Sequence, residues 1–181
     1  MLRTVEQLIE GADLAGKRVL VRVDFNVPID DGEVTDDTRI RAALPTLLRL
    51  LDAGATLYLV SHLGRPKGAP DERYRMGPVA RRLSQLLGRE VRYRATAGPA
   101  APEQQAFVAE APAGSVTLLE NSHFDARATE NDPELARVLA SSAAHCVRHA
   151  GGAARRARAK ISAVAGLLPS AAGDLMAAEL R

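Results

Sequence analysis

The sequence predicts an α/β fold: a parallel sheet with helices on both faces. Two observations lead to it. Short aliphatic and β-branched runs alternate with longer stretches whose apolar residues follow helical spacing. The run Thr56 to Ser61 is apolar almost throughout, as a strand buried on both faces is. A third observation concerns function. The runs empty into loops rich in Ser, His, Asn, Gly and charged residues, and open α/β sheets bind ligands beyond the carboxyl ends of their strands.

The first predicted strand is Val19 to Pro28. Its β-branched residues recur at every second position, which puts Arg22, Asp24 and Asn26 together on the alternate face. Pro28 cannot donate to a ladder and ends the strand. A cation, a carboxylate and an amide at a strand's end suggest a polar small-molecule site; the plainer reading is a strand with one solvated face. Asp30-Asp31-Gly32 is a turn signal. Thr35, Asp36 and Asp37 offer caps for a helix whose apolar positions are Ile40, Leu44, Leu47, Leu48 and Leu51. Pro45 is expected to kink or loosen its first turns, and Gly54 to close it in the left-handed conformation.

After the strand at 56–61 comes the polar loop 61–68. A helix is expected from Pro78 to Gly88, on the face of Val79, Leu83, Leu86 and Leu87. Val91 to Tyr93 is a short strand, 95–102 a loop and Glu103 to Glu110 a short helix. Ser115 to Leu119 is a strand followed by the polar loop Glu120-Asn121-Ser122-His123. Asp132 and Pro133 open a helix through Ala140. Cys146-Val147 is a short strand, Gly151-Gly152 precedes a basic run, and a last helix is expected after Pro169-Ser170 to the end. No fixed-period repeat and no long linker divides the chain.

Bulk properties narrow the function classes. The chain has 181 residues, 46% hydrophobic and 25% charged, enough for one domain with a real core. Aromatics are 3% and Trp is absent, so Leu, Val, Ile and Ala must build that core. The net charge of +2 is compatible with an anionic ligand but too small to argue for nucleic acid. One cysteine, Cys146, excludes an internal disulfide, and the acid-bearing N-terminus does not read as a signal peptide. No stretch approaches the roughly 18 apolar residues of a membrane helix. A cytoplasmic protein with no membrane contact is the expectation.

The Arg-x-Asp-x-Asn-x-Pro end of the first strand resembles the signature of the phosphoglycerate kinase family. Ser61-His62-Leu63-Gly64-Arg65-Pro66-Lys67-Gly68 resembles the family's second fingerprint. Leu118-Leu119-Glu120-Asn121, Glu130-Asn131-Asp132-Pro133-Glu134-Leu135-Ala136 and Leu168-Pro169-Ser170-Ala171-Ala172-Gly173 follow in the family's order. The resemblance implies a three-layer, Rossmann-like fold of the family's N-terminal domain type. It implies a phosphoglycerate-binding domain over 1–170 and the start of an interdomain connecting helix over 171–181. The nucleotide-binding C-terminal domain is expected to be absent.

The family transfers a phosphoryl group between ATP and 3-phosphoglycerate with magnesium, in glycolysis. By resemblance, Asp24, Phe25 and Asn26 would hold the substrate's hydroxyl and carboxyl end, where a carboxylate accepts and an amide both donates and accepts. Arg39 would be the catalytic residue, reaching the carboxyl end and steadying charge on the phosphoryl in flight. Without the resemblance it reads as an exposed helix arginine. His62, Leu63, Gly64 and Arg65 would form the 3-phosphate loop, with His123 and Arg156 completing the site. Arg suits phosphate because its planar fork donates two bonds at once.

The departures are specific. The family has Arg where this chain has His123, and a neutral imidazole cannot make a bidentate charged pair. A hydrogen bond to a charged group contributes about 1.5–3 kcal/mol, so its loss would weaken phosphate binding roughly ten- to a hundredfold. Further on, the family's Asn-Asp pair is Arg148-His149, its Phe is Gly151, and its two His are Arg155 and Arg158. Gly152 and Arg156 still fall on the family's Gly and phosphate-binding Arg.

Three functional readings follow. One is a phosphoglycerate-binding domain that meets a nucleotide domain on another chain or belongs to a longer protein; it is expected to be inactive as a lone chain. The second is a non-catalytic relative that binds another anionic metabolite or a protein. The third is polyanion binding by the basic run Arg148 to Lys160, disfavoured because aromatic stacking platforms are missing. No bound metal is expected: His145, Cys146 and His149 lack a matching second cluster. Mg-ATP is expected only with a nucleotide-binding domain.

Overall fold

The computed structural model describes residues 3–129, 133–149 and 170–172. Among these, seven strands form one parallel sheet. They are β1 (Arg3–Thr4), β2 (Arg18–Arg22), β5 (Thr56–Val60), β6 (Val91–Arg92), β7 (Val116–Leu118), β8 (His145–Arg148) and β9 (Ser170–Ala172). The spatial order is β1-β9-β8-β2-β5-β7-β6. A separate antiparallel hairpin pairs β3 (Ile29–Asp30) with β4 (Glu33–Val34). Its two-residue turn puts Asp31 at φ 53° and Gly32 at φ 75°, the positive angles such a turn needs.

Alternating side chains divide the core in two, as a sheet covered on both faces requires. On one face Val19, Val21, Leu57, Leu59, Val116, Leu118 and Val147 meet helices α1 (Val5–Gly11), α2 (Thr38–Asp52) and α3 (Gly77–Leu87). On the other, Leu20, Tyr58, Val60 and Cys146 meet Val108 of α4 (Pro102–Ala109) and Ala140 of α5 (Pro133–Ala140). The three-layer architecture is therefore as the sequence predicts. Burial in the second cluster raises the pKa of the Cys146 thiol to about 11.

Local details differ where long-range pairing decides. The ladder of β2 stops at Arg22, well before Pro28, because its neighbours β5 and β8 end at Val60 and Arg148. Beyond it Val23, Phe25 and Val27 are buried and Asp24 and Asn26 half-buried, so the predicted alternation of burial continues without a ladder. In α2 the innermost stripe is Ile40, Ala43, Leu47 and Leu50, while Leu44 and Leu51 flank it and Leu48 is 44% exposed. The helix also runs unbroken through Pro45, which lies on the solvent side where water can satisfy the carbonyl it strands. Gly54 takes φ 89° as expected, just past the helix.

The last helix expected after Ser170 is corrected in its described part. Ser170–Ala172 is a strand, paired with β8 on one side and β1 on the other. Small, helix-prone residues conceal it in the sequence, because its partners lie at the chain's opposite end and in β8. Residues 173–181, the basic run beyond His149 and Arg156 lie outside the described residues. Helix α1, not foreseen, is tied to α2 by the Glu6–Arg49 ion pair and buries Val5 and Leu8.

Leu59→Ala, at a fully buried position facing α2 and α3, should lower unfolding free energy by about 2–5 kcal/mol in urea titrations. Leu48→Ala, on the exposed flank of α2, should stay within about 0.5 kcal/mol of wild type.

Candidate functional site

The chain leaves β2 through α2 to β5 on one face, and reaches β8 from β7 through α5 on the other. Strands β2 and β8 are neighbours, and the strand order reverses between them, with β5 beside β2 on one side and β9 beside β8 on the other, which makes their carboxyl ends the switch point of the sheet. Asp24, Asn26 and the ends Arg22 and Arg148 belong to that end of the sheet.

Beyond the ladder, side chains replace strand pairing. Phe25 N donates to Ser61 Oγ at 3.0 Å, and Ser61 Oγ donates to His62 O at 2.9 Å. Asn26 N donates to Asp24 Oδ1 at 3.2 Å, a local Asx turn. Asn26 Oδ1 accepts from Gly64 N at 3.0 Å, joining the two predicted substrate loops. Arg39, in the first turn of α2, donates from Nη1 to Asn26 O at 2.9 Å and to Asp24 Oδ1 at 3.3 Å.

The Arg39 and Asp24 side chains are 55% and 39% exposed. An ion pair in such water contributes at most about 1 kcal/mol. Its consequence is orientation: the guanidinium is held beside Asp24 and Asn26, with further donors beyond the two bonds it makes from Nη1. The start of α2 is fixed in turn by Asp37, which accepts from Arg41 in the next turn at 2.9 Å and from Arg82 of α3 at 2.7 Å. The hydrogen bond from Arg41, then that from Arg82, hold the Asp37 carboxyl below the usual carboxylate range. Asp37 does not cap α2 with its side chain; Asp36 accepts the Thr38 N–H instead, at 3.0 Å.

The second half of the site is the loop 61–68. His62 stacks on His123, with ring centroids 4.6 Å apart and planes 17° from parallel. Leu63 is buried, and Gly64 sits at φ 62° with its α-carbon against the Tyr74 ring. A β-carbon there would lie 2.3 Å from Tyr74 Cδ1. Arg65 is exposed and makes no hydrogen bond or ion pair to the described residues. The structure thus brings Asp24, Phe25, Asn26, Arg39 and Gly64 into one network and pairs His62 with His123. Of the altered segment, His149 is described: it is buried, with Nδ1 3.1 Å from Thr46 Oγ1 of α2 and its N–H donated to Arg22 O at 2.8 Å. Among the described residues, no group of three or more His, Cys, Asp or Glu is placed to hold a metal ion, and no helix is long and apolar enough to cross a membrane.

Sequence reasoning gave no role to the residues beneath this surface. Asn121 Oδ1 accepts from Leu63 N at 3.2 Å and His123 N at 3.0 Å, while its Nδ2 donates to Leu63 O at 2.6 Å and Tyr74 O at 3.0 Å. Glu120, fully buried, accepts from Met76 N at 3.1 Å, Asn121 N at 3.0 Å, Arg75 Nη1 at 3.1 Å and the Tyr93 hydroxyl at 2.5 Å. Burial first, and then the bond to Glu120, raise the Tyr93 pKa, so the phenol stays a donor. The only available signal was the Glu120-Asn121 dipeptide itself, at a strand's polar end. A groove of about 710 Å³ between α3 and the β6 edge contains none of the predicted site residues.

Comparison with known proteins places this geometry. A family model described as phosphoglycerate kinase matches residues 9–181. The phosphoglycerate kinase of Rubrobacter xylanophilus is 55% identical over 172 residues, covering 95% of this chain and 43% of that protein. That of Synechococcus elongatus is 54% identical over 181 residues, covering 99% and 44%. Among solved structures, phosphoglycerate kinase from Pyrococcus horikoshii superposes with a TM-score of 0.83 at 29% identity, over 99% of this chain and 44% of that one. The Coxiella burnetii enzyme gives 0.78 at 32% identity, over 94% and 42%. The chain therefore spans less than half the length of these relatives.

Gly64→Ala should destabilise the protein by at least about 1–2 kcal/mol in thermal unfolding, from the left-handed backbone alone. The clash with Tyr74 adds to this, and Tyr74→Ala should relieve that added part in the double variant.

Proposed function

The chain belongs to the phosphoglycerate kinase family, and from that premise we propose that it binds 3-phosphoglycerate at the carboxyl ends of β2 and β5. One observation carries the reading: Asp24, Asn26, Arg39 and the Gly64 loop form a single hydrogen-bonded frame at the switch point of the sheet. Asp24 accepts from the substrate hydroxyl. Arg39, with Phe25 and Asn26 at the loop it crosses, meets the carboxyl end and is the catalytic cation. His62, Leu63, Gly64 and Arg65 receive the 3-phosphate, with His123 beside them and Arg156 as a further cation.

Phosphoryl transfer requires both reactants held in line, with charge stabilised on the group in flight. The family's relatives are more than twice as long as the stretch matched here. We assign to this chain the phosphoglycerate half of the reaction, inactive alone. Mg-ATP is a substrate bound by a nucleotide-binding portion, on a longer form of the protein or on a partner chain, in the cytoplasm. The reading of a non-catalytic relative differs in one respect: the purified chain would still bind an anion but would stay silent when a nucleotide domain is supplied.

Calorimetry at millimolar 3-phosphoglycerate should show binding heat that is lost in Arg65→Ala; no heat with the wild-type chain would defeat the proposal. His123→Arg should tighten binding roughly tenfold by restoring a charged donor. An unchanged affinity would remove His123 from the site.

The purified chain should show no turnover of ATP with 3-phosphoglycerate in a coupled assay. Turnover that survives removal of contaminating kinase would refute the half-enzyme reading.

A further inference from the structure

The stacked pair His62–His123 joins two loops from different strands, one after β5 and one after β7. Rings on separate loops keep such a geometry only if something rigid fixes the loops to each other. Three connections do so, and all meet at one buried carboxylate.

The first runs through Asn121. Glu120 Oε1 accepts the Asn121 N–H, and the Asn121 side chain holds both polar backbone groups of Leu63 and the N–H of His123. All four hydrogen-bonding positions of that amide are used, counting its bond to Tyr74 O. The second runs through the segment before α3. Glu120 Oε1 also accepts Met76 N, and Oε2 accepts Arg75 Nη1, which fixes Tyr74, the residue against which Gly64 packs. The third runs through the Arg75 guanidinium, 5.3 Å above the ring of Phe124, the neighbour of His123. Tyr93, at the end of β6, closes the set by donating its hydroxyl to Oε2.

We infer that Glu120 is the positioning residue of the phosphate-binding half of the site: it touches no ligand, and it sets the spacing of His62 and His123 through Asn121, Tyr74 and Arg75. Carboxylate chemistry explains the choice of residue. Two oxygens offer about four lone-pair sites, and four donors occupy them; a glutamine would turn one acceptor into a donor facing Arg75 and Tyr93. In a site with no exposure that mismatch has no water to absorb it.

The functional part of this inference rests on the phosphoglycerate reading, so the test has a second, ligand-free readout. The chain has four histidines, which makes imidazole proton resonances tractable to assign. In Glu120→Gln, the His62 and His123 ring resonances should move as the stack loosens, and 3-phosphoglycerate affinity should fall about tenfold. Leu8→Ala in α1, which packs on α2 and β9, should destabilise the chain while leaving both readouts in place. If Glu120→Gln does not fold, Tyr93→Phe removes one of the four donors and should move the same resonances with a smaller loss of affinity, about threefold. Unmoved His62 and His123 resonances overturn the inference whatever the affinity does. Moved resonances with wild-type affinity overturn it as well. If the wild-type chain binds no 3-phosphoglycerate, the phosphoglycerate reading falls, and positioning of the histidine pair is judged on the resonances alone.

Discussion

A parallel sheet buried on both faces must end, and at its end every backbone N–H and C=O needs a new partner. That constraint organises the carboxyl edge of this protein. Phe25 N finds Ser61 Oγ, Gly64 N finds Asn26 Oδ1, and both polar groups of Leu63 find the Asn121 amide. The side chains that close the ladder's end are the ones that build the candidate site. Stability and site geometry therefore share atoms at this edge.

The energetics separate surface from support. Arg39 and Asp24 are exposed, and their ion pair adds little stability. They are consequently free to exchange each other for a ligand at small cost. Glu120 is the opposite case. Arg75 is one-fifth exposed and Glu120 fully buried, and removing one partner of such a pair costs about 3–5 kcal/mol because a buried charge is left behind. A buried carboxylate with four donors thus lies below, and an exposed ion pair lies above it.

Among the described residues, the replacements relative to the family, His123, Arg148 and His149, fall on this edge. His123 keeps its backbone tied to Asn121 while its ring stacks on His62, so the loop's path does not depend on having an arginine there. His149 occupies a buried place against Thr46, in a segment where the family carries an acid. A carboxylate exchanged for an imidazole, with Arg148 beside Arg22 in register, shifts this end of the sheet toward positive charge. The exchange also removes a fixed acceptor from this end of the sheet.

Much of the fold was legible in the sequence because its signals are local. Apolar runs marked β5 and β7, Pro and Gly bracketed α3, and the alternation around Asp24 and Asn26 put both on one side of the chain. The family resemblance then pointed to residues on separate loops, of which Asp24, Asn26, Arg39 and Gly64 share hydrogen bonds in the structure. The tertiary structure decided what depends on partners distant in sequence. Ladder length in β2 followed from where β5 and β8 stop, and Ser170–Ala172 became a strand because Arg3–Thr4 and β8 lie on either side of it. The buried face of α2 turned by one residue from the leucine-rich stripe because the sheet selected Ala43 and Leu50. The role of Glu120 also belongs here: its four donors come from positions 75, 76, 93 and 121, and only the folded chain brings them to one carboxylate. Local sequence sets periodicity and turn chemistry; register, ladder ends and buried polar networks are properties of contacts between segments that the sequence keeps apart.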